Sequence, residues 1–463
     1  MSKLNRDVLY LIFKELHNDK YTLHSCLLVN KTWCEVAIPI LWRNPWKYLN
    51  YSKGKFLLDV IISHLSDESM KNIKSQGIDF TINSYKKPSF NYINFFKHLN
   101  LNAIKELVKR SEMLIIYNEI IRLFINVNTK FTHLYIPQKF DYQLHLIPEA
   151  KHCFSNIEFI RCYTNINDSG LAGLIEICKS VKELELIINK NDNNYGVTRL
   201  IETQKSLFSV HYIIFRSTDN VSFHTALETS LIKHANTIQH FKITNQPGTY
   251  FLSCFINLKS LELDGYFGVT WYCLKNLSLP LIQILKVNND YPVIFLEGII
   301  ESTSGYLSEI AINRISYDDP NSKILVQAIY TKCPKLKYLK LEFKNNNILE
   351  LEKLLINCQY LDGLFIIGIF GFDWYRCFEI LTRSSPINLF KFKFNYSTHI
   401  GCLKLFFDDW KVKCPDRPMK LQLIDEKRRP ISEENKNLIE TYKAEGIIKK
   451  FSNHLYNEDF EWL

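Results

Sequence analysis

The chain has 463 residues, 46% of them hydrophobic and 23% charged, with 57 Lys and Arg against 48 Asp and Glu. That length accommodates two or three domains and a large core, and the composition excludes an intrinsically disordered chain. The net charge of +9 is a mild bias for this size; it permits an acidic partner and does not require nucleic acid. The first residues, MSKLNRDVLYLIFKELHND, put acids and bases where a signal peptide has its apolar run. The longest apolar run, Leu364 to Phe372, is far short of the ~20 residues of a membrane span. We therefore expect a soluble intracellular protein of the cytoplasm or nucleus, with its twelve scattered cysteines as free thiols.

Taken in order, the chain opens on three short helical patterns. Val8, Leu9, Ile12, Phe13 and Leu16 recur at helical spacing. A second apolar run, Leu23 to Val29, stops at Asn30, whose side chain suits an N-cap. A third holds Trp33, Val36, Ile38, Leu41 and Trp42, and Pro39 ends or kinks it. Three helices in so few residues enclose a small core and leave apolar groups over; they read either as an N-terminal helical cap or as a docking module whose surplus apolar face belongs to a partner.

The order Leu4-x-x-Asp7-Val8-Leu9-x-x-Ile12-Phe13-x-x-Leu16, then Leu23, Cys26, Leu27, Val29, Asn30, Lys31, Trp33 and Leu41-Trp42, resembles an F-box over roughly residues 2–48. It departs at Asn5, where the family usually has a proline that pre-sets the backbone entering the helix. The resemblance implies docking on the Skp adaptor and, through it, a cullin. Its implied adaptor contacts are Leu4, Val8, Leu9, Ile12, Phe13, Leu27, Val29 and Trp33.

Residues 49–130 read as a helical connecting region. Leu57, Leu58, Ile61, Ile62 and Leu65 fit one helix face, with Gly77 as a stop. Two further helices follow in NAIKELVKR and NEIIRLFINV, the first with Asn102 as its expected cap, and Phe90-Ile93-Phe95 resembles an irregular first repeat.

From Phe131 the pattern apolar-x-x-apolar-x-apolar recurs about twelve times, in steps of 20 to 29 residues, through residue 425. It runs from Phe131-Leu134-Ile136 and Ile157-Ile160-Cys162 to Leu389-Phe392-Phe394 and a weaker Pro418-Leu421-Leu423, with Val210-Ile213-Phe215 as the fourth copy. The last two apolar residues of each copy are two apart, so they share one face of a short strand. Such a period is the signature of a leucine-rich-repeat solenoid, α/β in class, with parallel strands on a curved inner face and helices outside.

The copy CFSNIEFIRCYTNINDSGLAGLIEICKSVKELEL is similar to the cysteine-containing subfamily: Cys162 closes the strand, and Leu171, Leu174 and Ile177 mark a helix ended by Cys178. Cysteine here reads as a small buried hydrophobe. Residues 426–463 form a C-terminal cap, with a helix from Ser432 through Lys443 and Gly446 after it.

No nucleophile elbow, zinc motif or phosphate loop is present, and paired acids such as Asp408-Asp409 and Asp318-Asp319 read as solvated turns. We expect no catalytic residue, no cofactor and no metal, and a non-catalytic chain. Residues between the strand apolar positions line the concave face. Among them Phe159, Tyr163, Tyr212, Tyr338, Lys340, Phe365, Lys391 and Lys393 are the expected target contacts, with the lysine-rich late copies favouring an acidic or phosphorylated segment. Taken together, the F-box resemblance and the repeat array imply the substrate-recognition subunit of a cullin-type ubiquitin ligase. The alternative is a repeat scaffold with no ubiquitin link. Membrane contact is not expected, and nucleic acid is the least supported partner.

Overall fold

The computed structural model describes residues 4–49, 51–76, 88–108, 114–189, 192–215, 220–265, 271–288, 291–314, 322–368, 371–395, 400–424 and 431–452. Gly77, Asp318, Asp319 and, of the 426–463 segment, residues 426–430 and 453–463 lie outside them. The chain divides into two compact units, residues 1–210 with 218–231, and residues 211–217 with 232–463.

The first unit begins with α1 (Arg6–Glu15), α2 (Lys20–Cys26) and α3 (Lys31–Leu41). Each start is capped by a side chain: Asn5 accepts from the Asp7 N–H, Asp19 from Thr22 and Asn30 from Trp33. Asn5 sits at φ −60, within the range a proline would impose. Pro39 stays inside α3, two residues from its end. The module closes over Leu9, Phe13, Leu23, Cys26, Val36 and Ala37. Next come α4 (Tyr51–Ile62), α5 (Asp67–Ser75), α6 (Leu101–Val108) and α7 (Leu114–Phe124). The expected cap Asn102 is within α6; Asn100 caps it instead, its Oδ1 2.8 Å from the Ala103 N–H, because the preceding strand delivers it to that position. Trp46 is buried and donates from Nε1 to the His98 carbonyl at 2.8 Å, tying the module's end to the first strand.

Fourteen strands occur among the described residues, all pairs being parallel. They are β1 (His98–Asn100), β2 (His133–Tyr135), β3 (Phe159–Tyr163), β4 (Glu183–Ile188), β5 (Ser209–Ile214), β6 (His240–Ile243) and β7 (Ser260–Leu263). The rest are β8 (Ile284–Val287), β9 (Glu309–Ile312), β10 (Tyr338–Phe343), β11 (Gly363–Gly368), β12 (Lys391–Asn395), β13 (Met419–Ile424) and β14 (Ile448–Ser452). In the first unit β1 to β4 pair in chain order. In the second, β6 to β14 do the same. Each strand from β1 to β13 is followed by a helix or a 3-10 turn. The 20-residue step after Ile238 holds only the turn Phe251–Cys254. The pairs Leu339 and Leu341, Leu364 and Leu361, Phe392 and Phe394 are wholly buried. Burying one such side chain contributes about 1.5–3 kcal/mol. No described helix is long and apolar enough to cross a membrane.

The sheet runs past both ends of the expected 131–425 array. The first copy is Phe96-Leu99-Leu101, all buried, and not Phe90-Ile93-Phe95, where a 3-10 turn spans Tyr92–Phe95. At the far end a helix, Glu433–Ala444, is capped by Ser432 and stopped by Gly446 at φ +78, a left-handed conformation that glycine adopts without a Cβ clash. It leads into β14, which pairs with β13. The fourth copy is also in a different register. Leu207, Val210, Tyr212 and Ile214 point inward, while Phe215 is 44% exposed. Starting that copy at Val210 moved the alternation to the wrong face. Tyr212, expected as a target contact, is therefore a core residue packed 6.5 Å from the Phe241 ring.

The register predicts different costs for two neighbouring truncations. Tyr212→Ala should destabilise by about 3 kcal/mol, as for a buried aromatic. Phe215→Ala should stay within about 0.5 kcal/mol, as at an open surface. Urea unfolding of the two variants measures this; equal losses would restore the other register.

Candidate functional site: an exposed apolar stripe and two sheet faces

The N-terminal module shows what its core leaves over. Val8, Leu11 and Ile12 share a face of α1 and Leu4 lies just before its cap, and all four are exposed. At the end of α2, Leu28 is 90% and Val29 55% exposed. Of the expected adaptor contacts, Leu4, Val8, Ile12 and Val29 are thus open to a partner. Leu27 and Trp33 are half-buried against the core, Trp33 edge-on to Phe13 at 5.2 Å. Leu9 and Phe13 are corrected: both are fully buried within the module, because its three helices need them as their own core. Leu11 and Leu28 were missed; neither belongs to the quoted spacing.

In the first unit, the strand positions between inward residues form a ladder across β1 to β4. His98, His133, Phe159 and Glu183 are in register, as are Asn100, Tyr135, Arg161 and Glu185. The His98 and His133 rings stack at 3.8 Å, and Phe159 lies 5.3 Å from both His133 and Tyr135. Arg161 pairs with Glu185 at 3.3 Å. All four rings and Arg161 are half-buried. Aromatic side chains with an adjoining arginine are what protein-binding hot spots favour. Phe159 was expected here and Tyr163 follows it on the same face, half-buried. His133 and Tyr135 were visible to the same rule, since they flank Leu134. His98 was hidden by the misplaced first copy.

Burial, the neighbouring His133, Arg43 and Lys47 together push the His98 imidazole down to about 3. Burial and Arg43 also lower His133. The stack is therefore neutral near pH 7, as close imidazoles require.

In the second unit the equivalent row is Lys242, Glu262, Lys286, Ala311, Lys340, Phe365, Lys393 and Gln422 across β6 to β13. Its first part is a network: Lys242 bonds Glu262 at 2.5 Å and lies 3.5 Å from Asp264, and Lys286 pairs with Glu309 at 3.2 Å. Burial works against the Lys242 ammonium, but Glu262 and Asp264 outweigh it and hold its pKa above the ordinary lysine value.

Farther along, Lys391 bonds Asp362 at 2.5 Å and the Tyr338 hydroxyl at 3.1 Å, and Tyr338 donates to Asp362 at 2.8 Å. Burial again opposes the Lys391 charge, and the Asp362 and Tyr338 bonds raise its pKa overall. Lys340 and Lys393 stand 4.8 and 5.0 Å from the Phe365 ring centre on neighbouring strands. All three, expected as surface contacts, are buried. Tyr338 and Lys391 remain half-buried on the face.

The repeat cysteines are where the pattern put them. Cys162, Cys178, Cys333 and Cys358 are buried, and burial pushes their thiols up to about 12. Cys254 and Cys414 are only half-buried.

No protein-family model matches the chain, and no curated protein matches it. Among solved structures it is similar to the leucine-rich repeat-containing protein LegL7 from Legionella pneumophila. The two share 13% identity with a TM-score of 0.39, over 59% of this chain and 92% of that one. What defines the fold here is geometry within the chain: parallel strands in chain order at a repeat period, each backed by a helix or 3-10 turn, as in a leucine-rich-repeat solenoid.

The histidine stack makes a prediction about pH. An unfolded imidazole titrates near 6.5, and folded His98 near 3, so the unfolded chain binds more protons between those values. The stability due to this neutral imidazole is full above about pH 6.5 and is lost as pH falls toward 3. Replacing His98 and His133 by Gln should shrink the drop in urea midpoint between about pH 7 and pH 4.5. An unchanged drop would mean that the histidines are not held neutral.

Proposed function

We propose that the chain is a non-catalytic receptor subunit of a cullin-type ubiquitin ligase. The N-terminal module docks on a Skp-type adaptor, and the open sheet faces hold a target protein. The observation that carries this reading is the exposed stripe of Leu4, Val8, Leu11 and Ile12 on a module whose core is complete without it. A row of large apolar groups left in water by a well-capped helix suits a partner's groove. The F-box resemblance of residues 2–48 supports the adaptor class. On the target side, the Phe159 ladder offers aromatic contact area, and Tyr338 with Lys391 offers a polar anchor held in place by Asp362.

The adaptor is expected to co-purify with the full chain. Ile12→Asp and Val8→Asp should each weaken its capture at least about tenfold, since a buried unpaired carboxylate costs several kcal/mol. Because both side chains are exposed, the urea midpoint should not move. Capture that survives both substitutions would sink the docking assignment. Copurification of target proteins without any cullin would instead favour a repeat scaffold outside ubiquitin transfer.

A further inference from the structure

A cleft of about 1540 Å³ opens among the ends of α1 and α3, the start of α2, α4 and the approach to β1. It exceeds the ~300–1,000 Å³ of an ordinary small-molecule pocket. Among the described residues its walls carry six cations, Lys14, Lys20, Arg43, Lys47, Lys53 and Lys97, and one carboxylate, Glu15. The whole chain is nearly balanced, 57 cations to 48 carboxylates, so this excess is local.

Two of these cations, Arg43 and Lys97, adjoin, while Lys47 Nζ donates to Asn18 Oδ1 at 2.9 Å. The Lys97 N–H donates to the Arg43 carbonyl at 2.9 Å, and Lys97 Nζ reaches the Lys130 carbonyl at 3.2 Å. Burial, Arg43 and Lys130 together lower the Lys97 ammonium pKa. Neighbouring like charges repel, and a bound polyanion would turn the repulsion into attraction. Beside them the wall is apolar: Trp42 and Tyr92 pack ring on ring at 4.3 Å, with Leu41 and Phe56 also lining the cleft.

We propose that this cleft binds a phosphate ester with an aromatic or aliphatic body, its phosphates at the Arg43–Lys97 end and its body against the Trp42–Tyr92 wall. Phosphate is favoured over a run of carboxylates because Arg43 and Lys97 adjoin. A phosphate offers two charges and three acceptor oxygens at one point, which a guanidinium fork and an ammonium can share. The size of the cleft leaves room for the body and for water. This site is independent of the receptor reading, since it uses none of the exposed residues of the α1 stripe.

The test uses the full chain and three probes at low and physiological salt. They are ATP, phosphatidylcholine vesicles containing phosphatidylinositol 4,5-bisphosphate, and a poly-glutamate peptide. Titration calorimetry reads the ATP and peptide arms, and vesicle flotation the lipid arm. The expected result is binding of ATP or of the phosphoinositide vesicles that weakens at least tenfold in Arg43→Glu/Lys97→Gln and weakens as salt rises. ATP binding alone would assign a soluble ligand, and vesicle binding alone a lipid headgroup. Lys14→Glu, an exposed change at the other part of the cleft, should weaken binding less and checks that a fold defect is not being read. No binding of either phosphate probe, binding unchanged in the double variant, or tighter binding of poly-glutamate than of both phosphate probes would overturn the proposal.

Discussion

Everything in the repeat array depends on one constraint: each strand carries two inward apolar side chains that it cannot bury alone. Leu339 and Leu341 of β10 are dry only because β9 and β11 lie beside them and a helix backs them. Parallel stacking in chain order is the simplest way to satisfy this with short connections. Between β6 and β7, the shortest step, a 3-10 turn at Phe251–Cys254 stands where other connections have a helix. Small side chains then fill the narrow places, which is the role of Cys162, Cys178, Cys333 and Cys358.

Once the inward positions are taken, alternation sends every other side chain to the open face, and register lines them up. The two units use this differently. In the first, β1 to β3 contribute rings that touch one another, His98, His133, Phe159 and Tyr135. In the second, charges alternate along β6 to β9 and lysines gather around Phe365 and Tyr338 on β10 to β12. The same geometry that completes the core therefore also assembles the surfaces. The N-terminal module follows the reverse logic: its core needs so few residues that a helix face of apolar groups remains outside.

Much of the fold was readable without coordinates. The copies from Phe131 to Leu423 name the strands, and the caps Asn30 and Ser432 name helix starts, because both signals are local and periodic. The failures were failures of phase. A start at Val210 instead of Leu207 reversed the faces of β5 and brought Tyr212 to the surface. A start at Phe90 instead of Phe96 concealed His98. β14 was missed because a single strand without a following copy has no period to reveal it.

What the sequence by itself determined is the repeat architecture, the position of nearly every strand, and the surplus of apolar groups in the first helices. These follow from side-chain period, which is a property of the chain alone. What only the tertiary structure decided is which member of a set faces water. Leu9 and Phe13 share the helical spacing of Val8 and Ile12 yet lie in the module's core. Lys340 and Lys393 share the strand phase of surface residues yet are buried around Phe365. Burial depends on what arrives from other strands and helices, and no spacing within one segment encodes that.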